Sequence, residues 1–291
     1  MNIKCLFILL FVCLEVCANS DLDTQLLDTA KNGTIDAVKM LINQGANVNF
    51  ENEEKETPLH KAAEKGHTDV VKYLIEKGAE MNVKTKFGEY KPLHKAASEG
   101  HTDVVKYLIE KGANVNFENG WKETPLHSAA GNGHADVVKY LIEKGADLNV
   151  KNKFGEETPL HSAAFHGHTD VVKYLIEKGA NVNVENEWKE TPLHEAASEG
   201  HTDVVKYLIE KGADVNGEDK WRKTPLQWAA SGGRIETVKL LIEKGANPFV
   251  RNDDNQTPRE EALIEDYKEA AKLLEEAEST FVHSSDNRTS V

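Results

Sequence analysis

Residues 57–79 read TPLHKAAEKGHTDVVKYLIEKGA, and the chain repeats this stretch along most of its length. The Thr-Pro-Leu-His tetrad that starts at 57 recurs at 124, 158 and 191, and variants with one residue changed start at 91 and 224. These six starts are 33 or 34 residues apart, and each is followed by an Ala-Ala pair and then by a glycine. A constant period of this length indicates a stack of copied structural units.

Each copy encodes two short helices. Thr57 is a good N-cap, Pro58 suits the first position of a helix, and the Ala-Ala pair permits close packing before Gly66 ends this first helix. The second helix carries Val-Val-x-x-Leu-Ile, whose apolar residues recur at three-to-four spacing, and Gly78 stops it. Helices this short do not persist alone in water, so we expect their stability to come from neighbouring copies.

The period and the Thr-Pro-Leu-His-x-Ala-Ala motif resemble the ankyrin repeat family over residues 24 to about 276. The resemblance implies an all-α solenoid of helix-turn-helix units joined by hairpin-like finger loops. We place this ankyrin repeat domain at 21–278, with about eight units that start at 24, 57, 91, 124, 158, 191, 224 and 257. The first and last units have polar sequences that suit terminal caps. Residues 279–291 break the pattern, and we expect them to be disordered.

The amino-terminal segment has the layout of a secretory signal peptide. One lysine precedes the apolar run CLFILLFVCL at 5–14, and small residues around Ala18 offer a cleavage site. The run is about half of the ~20 residues that span a bilayer, so an uncleaved anchor is the less favoured alternative. We predict cleavage of residues 1–18 and secretion. All 3 cysteines lie in this segment, which leaves the mature chain without a thiol for a disulfide, a nucleophile or a metal ligand.

Composition narrows the classes of partner. The chain is 39% hydrophobic and 29% charged, and its formal net charge is −14. Such a negative field opposes nucleic acid and anionic lipid, and it favours basic or neutral partners. No segment after the first twenty residues is apolar enough to insert into a membrane, so we expect a protein partner, no membrane insertion and a monomeric chain.

The titratable residues do not form a recognisable catalytic site. The resemblance implies that the motif histidines make turn and inter-repeat hydrogen bonds; they are His60, His67, His94, His101, His127, His134, His161, His168, His194 and His201. Their spacing of seven within a unit is not the i, i+4 spacing of the histidine pairs in zinc enzymes. His166 and His168 remain a candidate metal pair. Ser128 and Ser162 follow motif histidines, but adjacency in sequence is not the geometry of a triad. We therefore predict no enzymatic activity, no cofactor and no metal site.

Large aromatic residues depart from the repeated template. Alignment of the finger loops places seven residues at one equivalent position near the tip: Glu54, Phe87, Trp121, Phe154, Trp188, Trp221 and Asp254. Phe165 and Trp228 fall on first helices. The resemblance implies that finger tips and first helices contact partners, so the predicted binding residues are Phe87, Trp121, Phe154, Phe165, Trp188, Trp221 and Trp228. The alternative is that the tip aromatics pack on neighbouring fingers and stiffen them.

These observations predict a secreted, non-enzymatic protein-binding module. Export suggests action on another cell, so a venom, salivary or symbiont toxin or effector is an alternative, and a passive scaffold is another. Three Asn-x-Thr sequons at Asn32, Asn255 and Asn287 are candidate glycosylation sites if the chain passes through a eukaryotic secretory pathway.

Overall fold

The computed structural model describes residues 21–286, with side chains as far as Phe281. The predicted signal peptide and residues 287–291 lie outside the described residues. Within this part of the chain there are sixteen helices and no strand, and the helix-turn-helix pattern confirms the predicted all-α solenoid. The described residues divide into two compact units, the first comprising 21–129 with Asp136–Ala146, and the second comprising Ala130–Ala135 with 147–286.

The first unit contains α1 at 21–32 and the pairs of helices that follow it. These are α2 (Ile35–Asn43), α3 (Pro58–Glu64), α4 (Thr68–Glu76), α5 (Pro92–Ser98) and α6 (Thr102–Glu110), with most of α7 (Pro125–Gly131) and α8 (Ala135–Glu143). First helices pack side by side, as α3 does with α5, and second helices form the next layer, in which α4 packs between α2 and α6.

The second unit continues the same alternation of first and second helices. Its helices are α9 (Pro159–Phe165), α10 (Thr169–Glu177), α11 (Pro192–Glu199), α12 (Thr202–Glu210), α13 (Pro225–Ser231), α14 (Ile235–Glu243), α15 (Pro258–Ile264) and α16 (Lys268–Asp286). Helix α11 packs between α9 and α13, and α15 packs on α13. Helices α10, α12, α14 and α16 form the second layer in the same order.

The core follows the apolar pattern of the repeat. Leu59 and the Ala-Ala pair of α3 are 0% exposed, as are Val70, Val71 and Leu74 of α4. The alanines allow adjacent first helices to approach closely, while the valines and leucines fill the space between the two layers. The predicted N-cap is confirmed at Thr57, whose hydroxyl accepts a hydrogen bond from the amide of His60, and Pro58 opens the helix.

The glycine between the two helices of a unit is required for two reasons. Gly66 has a φ of +75°, a conformation that residues with a Cβ adopt at a cost. The imidazole of His101, from the following repeat, packs over the same glycine. A Cβ on Gly66 would lie 2.4 Å from the Nδ1 atom of His101. The glycine therefore allows the turn between the helices and leaves space for the histidine ring of the next repeat.

The two ends of the repeated region depart from the internal repeats. Helix α1 is already helical at 21, so Thr24 lies inside the helix and does not cap it. At the other end, α16 continues past the repeat pattern to Asp286. The predicted disorder of 279–291 stays a prediction, and residues 287–291 lie outside the described residues. The Ser279 hydroxyl donates to the Glu275 carbonyl oxygen, and the Phe281 ring packs edge-on against Phe249 with centroids 5.9 Å apart. Both rings remain exposed, at 42% for Phe249 and 44% for Phe281, so the contact covers only part of each ring.

Candidate functional site

The histidine of the Thr-Pro-Leu-His motif is a structural residue. The backbone amide of Thr57 donates to Nδ1 of His60 over 3.2 Å, and Nε2 of His60 donates to the carbonyl oxygen of Tyr90 over 3.1 Å. These two partners require the neutral imidazole, because Nδ1 accepts while Nε2 donates. Burial lowers the pKa of His60, His94 and His161 to about 4.

The second motif histidine joins neighbouring repeats through a hydrogen bond to a backbone carbonyl. Nε2 of His67 lies 2.9 Å from the carbonyl oxygen of Lys31, and Nε2 of His101 lies 2.9 Å from that of Glu64. In the second unit, His168 and His201 make the same bond to Gly131 and Phe165. The predicted role of these histidines in inter-repeat hydrogen bonding is therefore confirmed.

Neighbouring finger loops are paired through their backbones. The amide of Lys86 donates to the carbonyl oxygen of Glu54, and the amide of Gly120 donates to that of Gly88. In the second unit the accepting carbonyls belong to Gly155, Trp188 and Trp221. The residue at the paired tip position is thus a glycine in the two longer fingers and a tryptophan or glutamate in others.

This pairing corrects the predicted alignment of the fingers. Gly88 and Gly155, with φ of +71° and +76°, occupy the position that tryptophan holds in the shorter fingers. Phe87 and Phe154 are displaced to the preceding position by the extra residue of the longer loop. They are the most exposed of the predicted tip aromatics, at 66% and 57%.

Two of the tip tryptophans pack on the preceding finger. A Cβ on Gly88 would lie 2.6 Å from the Trp121 indole, and a Cβ on Gly155 would lie 2.4 Å from the Trp188 indole. The Trp121 ring also meets Tyr90 edge-on, with centroids 5.4 Å apart. Both tryptophans are half-buried. This geometry favours a stiffening role for Trp121 and Trp188, the alternative that the sequence left open.

Trp221 is the exposed tryptophan of the fingers, at 43%. Its carbonyl oxygen accepts from the amide of Asp253, and its own amide donates to Asp219 over 2.8 Å. The backbone of this tip is therefore held in place while much of the indole faces solvent, as a contact residue requires.

Phe165 and Trp228 lie on first helices of the second unit and line one cavity of about 250 Å³. Phe165 ends α9 and is 41% exposed. Trp228, on α13, is half-buried, and its indole Nε1 donates to Asp219 over 2.9 Å. The Nζ atom of Lys223 lies 4.9 Å from the centroid of the Trp228 ring. These contacts hold the indole in one orientation.

A carboxylate that the sequence does not mark as a binding residue lies in the same cavity. Glu195, on α11 between the two aromatic residues, is half-buried. Burial raises its pKa to about 8, and the negative charges of Glu190, Glu157 and Glu199 act in the same direction. A signal was present, because Glu195 follows a motif histidine where other copies have Lys61, Lys95, Ser128 and Ser162.

The candidate metal pair does not form a metal centre with other ligands in the described residues. The rings of His166 and His168 are stacked 6.0 Å apart, but Nδ1 of His166 donates to the Ser162 carbonyl and Nε2 of His168 to that of Gly131. Among side chains within 21–281, no group of three or more His, Cys, Asp or Glu is placed to hold an ion.

Two of the three sequons lie within the described residues. Asn32 and Asn255 are exposed, while Asn287 lies outside the described range. Asn255 occupies a finger tip with a φ of +60°, and Thr257 of the same sequon is the N-cap of α15. Among the described helices, none combines the length and the apolar composition that a membrane span needs.

Comparison with known families agrees with this architecture. A family model described as ankyrin repeats in three copies matches residues 2–85, 77–152, 147–219 and 216–284. Comparison with curated proteins gives no match. The four matched segments cover almost the whole chain and include every helix pair described above, so the chain belongs to the ankyrin repeat family.

Proposed function

We propose that this chain is a non-enzymatic module that binds a protein partner through its first helices and finger tips. Membership of the ankyrin repeat family supports protein binding in general, since these repeats are typically interaction modules. The proposal for this chain rests on residues of the first helices and finger tips that depart from the repeated template.

The observation that carries the proposal is the placement of Phe165 and Trp228 around one cavity of the second unit. Other copies have small or charged residues at the position of Phe165, namely Glu64, Ser98, Gly131, Ser198 and Ser231. A phenylalanine that is 41% exposed is not needed to fill the core. Aromatic side chains on such a surface are typical of the few residues that dominate binding energy.

Affinity capture tests this function. The purified chain is immobilised, the bound protein is identified and produced separately, and its affinity is measured by calorimetry. Phe165→Ala should weaken that affinity at least tenfold, because a large contact area is lost. Tyr174→Ala, on second helix α10, is the matched control and should leave the affinity unchanged. The proposal fails if no protein binds saturably to the chain.

Secretion is part of the proposal and is supported by the sequence of residues 1–18 alone. The apolar run is too short to span a bilayer readily and is followed by a suitable cleavage site. Amino-terminal sequencing of protein collected from the medium should begin near Asn19. Cell-retained protein that still carries Met1 would contradict both cleavage and export.

A further inference from the structure

The cavity beside Phe165 and Trp228 is small and lies on three adjacent first helices. Its lining comes from α9, α11, α13 and the finger before α11, and comprises Phe165, Glu190, His194, Glu195, Ser198, Glu199 and Trp228. Its volume of about 250 Å³ is below the ~300–1,000 Å³ of typical small-molecule pockets. The cavity therefore suits one side chain of a partner better than an entire ligand.

The cavity is lined by acidic side chains and by no basic one. The lining includes three glutamates and neither lysine nor arginine. His194 adds no charge, because Nε2 donates to the carbonyl oxygens of Gly217 and Lys223 and burial lowers its pKa.

Two cations that contact residues of the cavity lining are already engaged by acidic groups. Arg234 lies 3.5 Å from Glu199, and Lys223 lies 2.7 Å from Glu261. Glu190 accepts from the Asn186 amide over 2.9 Å. The Glu195 carboxylate has no hydrogen-bond or salt-bridge partner among the described residues, although its backbone carbonyl accepts from Ser198. The raised pKa of Glu195 has the same origin, since no nearby cation offsets its burial among other carboxylates. Glu195 is therefore largely protonated at neutral pH in the free chain, and a cation placed beside it would favour the ionised carboxylate.

The aromatic residues suit a planar cation. An arginine guanidinium stacks on aromatic faces and pairs with carboxylates through two parallel hydrogen bonds. The Trp228 ring already makes a cation–π contact with the ammonium of Lys223, 4.9 Å from the ring centroid. The combination of aromatic walls and an unpaired carboxylate therefore has the chemistry of a slot for a guanidinium group.

We propose that the cavity between Phe165, Glu195 and Trp228 receives an arginine side chain of a basic segment in the protein partner. This inference rests on the proposed function and specifies the chemistry of that partner. The formal net charge of −14 agrees with a basic partner, because it raises the local concentration of positively charged segments.

The probe for this proposal is the blocked peptide acetyl-Gly-Ser-Arg-Ser-Gly-amide, titrated into the full purified chain. Binding is followed by NMR through the indole N–H of Trp228, whose signal is assigned with Trp228→Phe. The comparison peptides carry citrulline, which keeps the shape but lacks the charge, or lysine in place of arginine. We expect the arginine peptide to bind at least fivefold more tightly than either.

Glu195→Gln should weaken binding of the arginine peptide at least fivefold and leave the circular dichroism spectrum unchanged. Glu177→Gln makes the same substitution on second helix α10, outside the cavity, and should have no effect on that affinity. Equal affinity for the citrulline or lysine peptide overturns the assignment to arginine. Equal affinities of the Glu195→Gln and Glu177→Gln variants overturn the role of the cavity.

The two proposals fail in different ways. If the chain captures a protein whose affinity is unchanged by Glu195→Gln, and the arginine peptide does not bind, the arginine slot is wrong and protein binding stands. If the peptide binds with the predicted dependence on Glu195 but no protein is captured, the slot stands and the proposed function is wrong.

Discussion

Nε2 of His60 donates a hydrogen bond of 3.1 Å to the carbonyl oxygen of Tyr90, 30 residues further along the chain. The bond joins one repeat to the finger loop that precedes the next repeat, and Nδ1 of the same ring accepts from the amide of Thr57. A proton on Nδ1 would remove that second bond. The stability of the stack is therefore linked to the protonation of buried histidines.

Acid should destabilise the chain below pH 6.5. Burial lowers the pKa of His60, His94 and His161 to about 4, below the ordinary value of 6.5. The unfolded chain binds more protons between these values, so the stabilising contribution is complete above pH 6.5 and is lost as the pH falls toward 4. Urea unfolding at pH 7.5 and 5.0 measures this loss.

His60→Gln should reduce that acid sensitivity without loss of the fold. Gln227 already occupies the equivalent position on α13, where its Oε1 accepts from Thr224 and its Nε2 donates to the Gln256 carbonyl. The fall in unfolding free energy between pH 7.5 and 5.0 should be about 2 kcal/mol smaller than in the natural chain. An identical fall in both proteins would contradict the assignment of His60 as a titrating group.

Gly88→Ala should destabilise the first unit more than Gly112→Ala. Both glycines have positive φ, at +71° and +96°, so both substitutions carry a conformational cost of about 1–2 kcal/mol. Only the Cβ at 88 meets Trp121, at 2.6 Å, since the space around Gly112 is open. Thermal melting of the two variants isolates the extra cost. Trp121→Ala in the Gly88→Ala background should remove only the part that the indole causes, because the Tyr90 ring also lies 2.7 Å from that Cβ.

The tip tryptophans should fall into two groups. Trp121→Ala and Trp188→Ala should lower the melting temperature, because each indole packs on the glycine of the preceding finger. Trp221→Ala should leave the melting temperature nearly unchanged and weaken partner affinity at least tenfold, because the indole is 43% exposed. Melting and affinity are measured on the same three proteins. If Trp121→Ala lowered the affinity for the partner without lowering the melting temperature, Trp121 would be a contact residue like Trp221.

Glu195→Gln should stabilise the chain at alkaline pH. The pKa of Glu195 is raised from 4.5 to about 8, so its contribution to stability is present below pH 4.5 and is lost as the pH rises toward 8. Glutamine is neutral at every pH. The variant should therefore be at least about 1 kcal/mol more stable than the natural chain at pH 9, a margin already reduced for partial exposure of the carboxylate. At pH 5 the two should be nearly equal, and urea unfolding at both values provides the comparison.

The repeated units and the start of each internal first helix were predictable because their signals are local. Thr57 caps α3 through the amide of His60, three residues away, and Pro58 supplies a fixed φ for the first turn. The burial of Val70, Val71 and Leu74 follows from helical periodicity within nine residues of chain. Six nearly identical copies repeat these signals, so each copy supports the same assignment. The extent of α16 was not predictable in this way, because its end lies beyond the repeated pattern and its Phe281 contacts Phe249, which is distant in the sequence.

The sequence alone established an all-α stack of ankyrin repeats and identified which aromatic residues depart from the template. The alignment placed Phe87 and Trp121 at the same position, because the sequence does not show where the longer finger holds its extra residue. The backbone pairing shows it, since the carbonyl that pairs with the neighbouring finger belongs to Gly88 and not to Phe87. Glu195 likewise looks like any other surface glutamate in the sequence. Its burial and its cavity come from α9 and α13, whose residues lie about thirty positions away on either side. Electrostatic and packing energies depend on distance in space, which the repeat pattern does not specify for individual side chains.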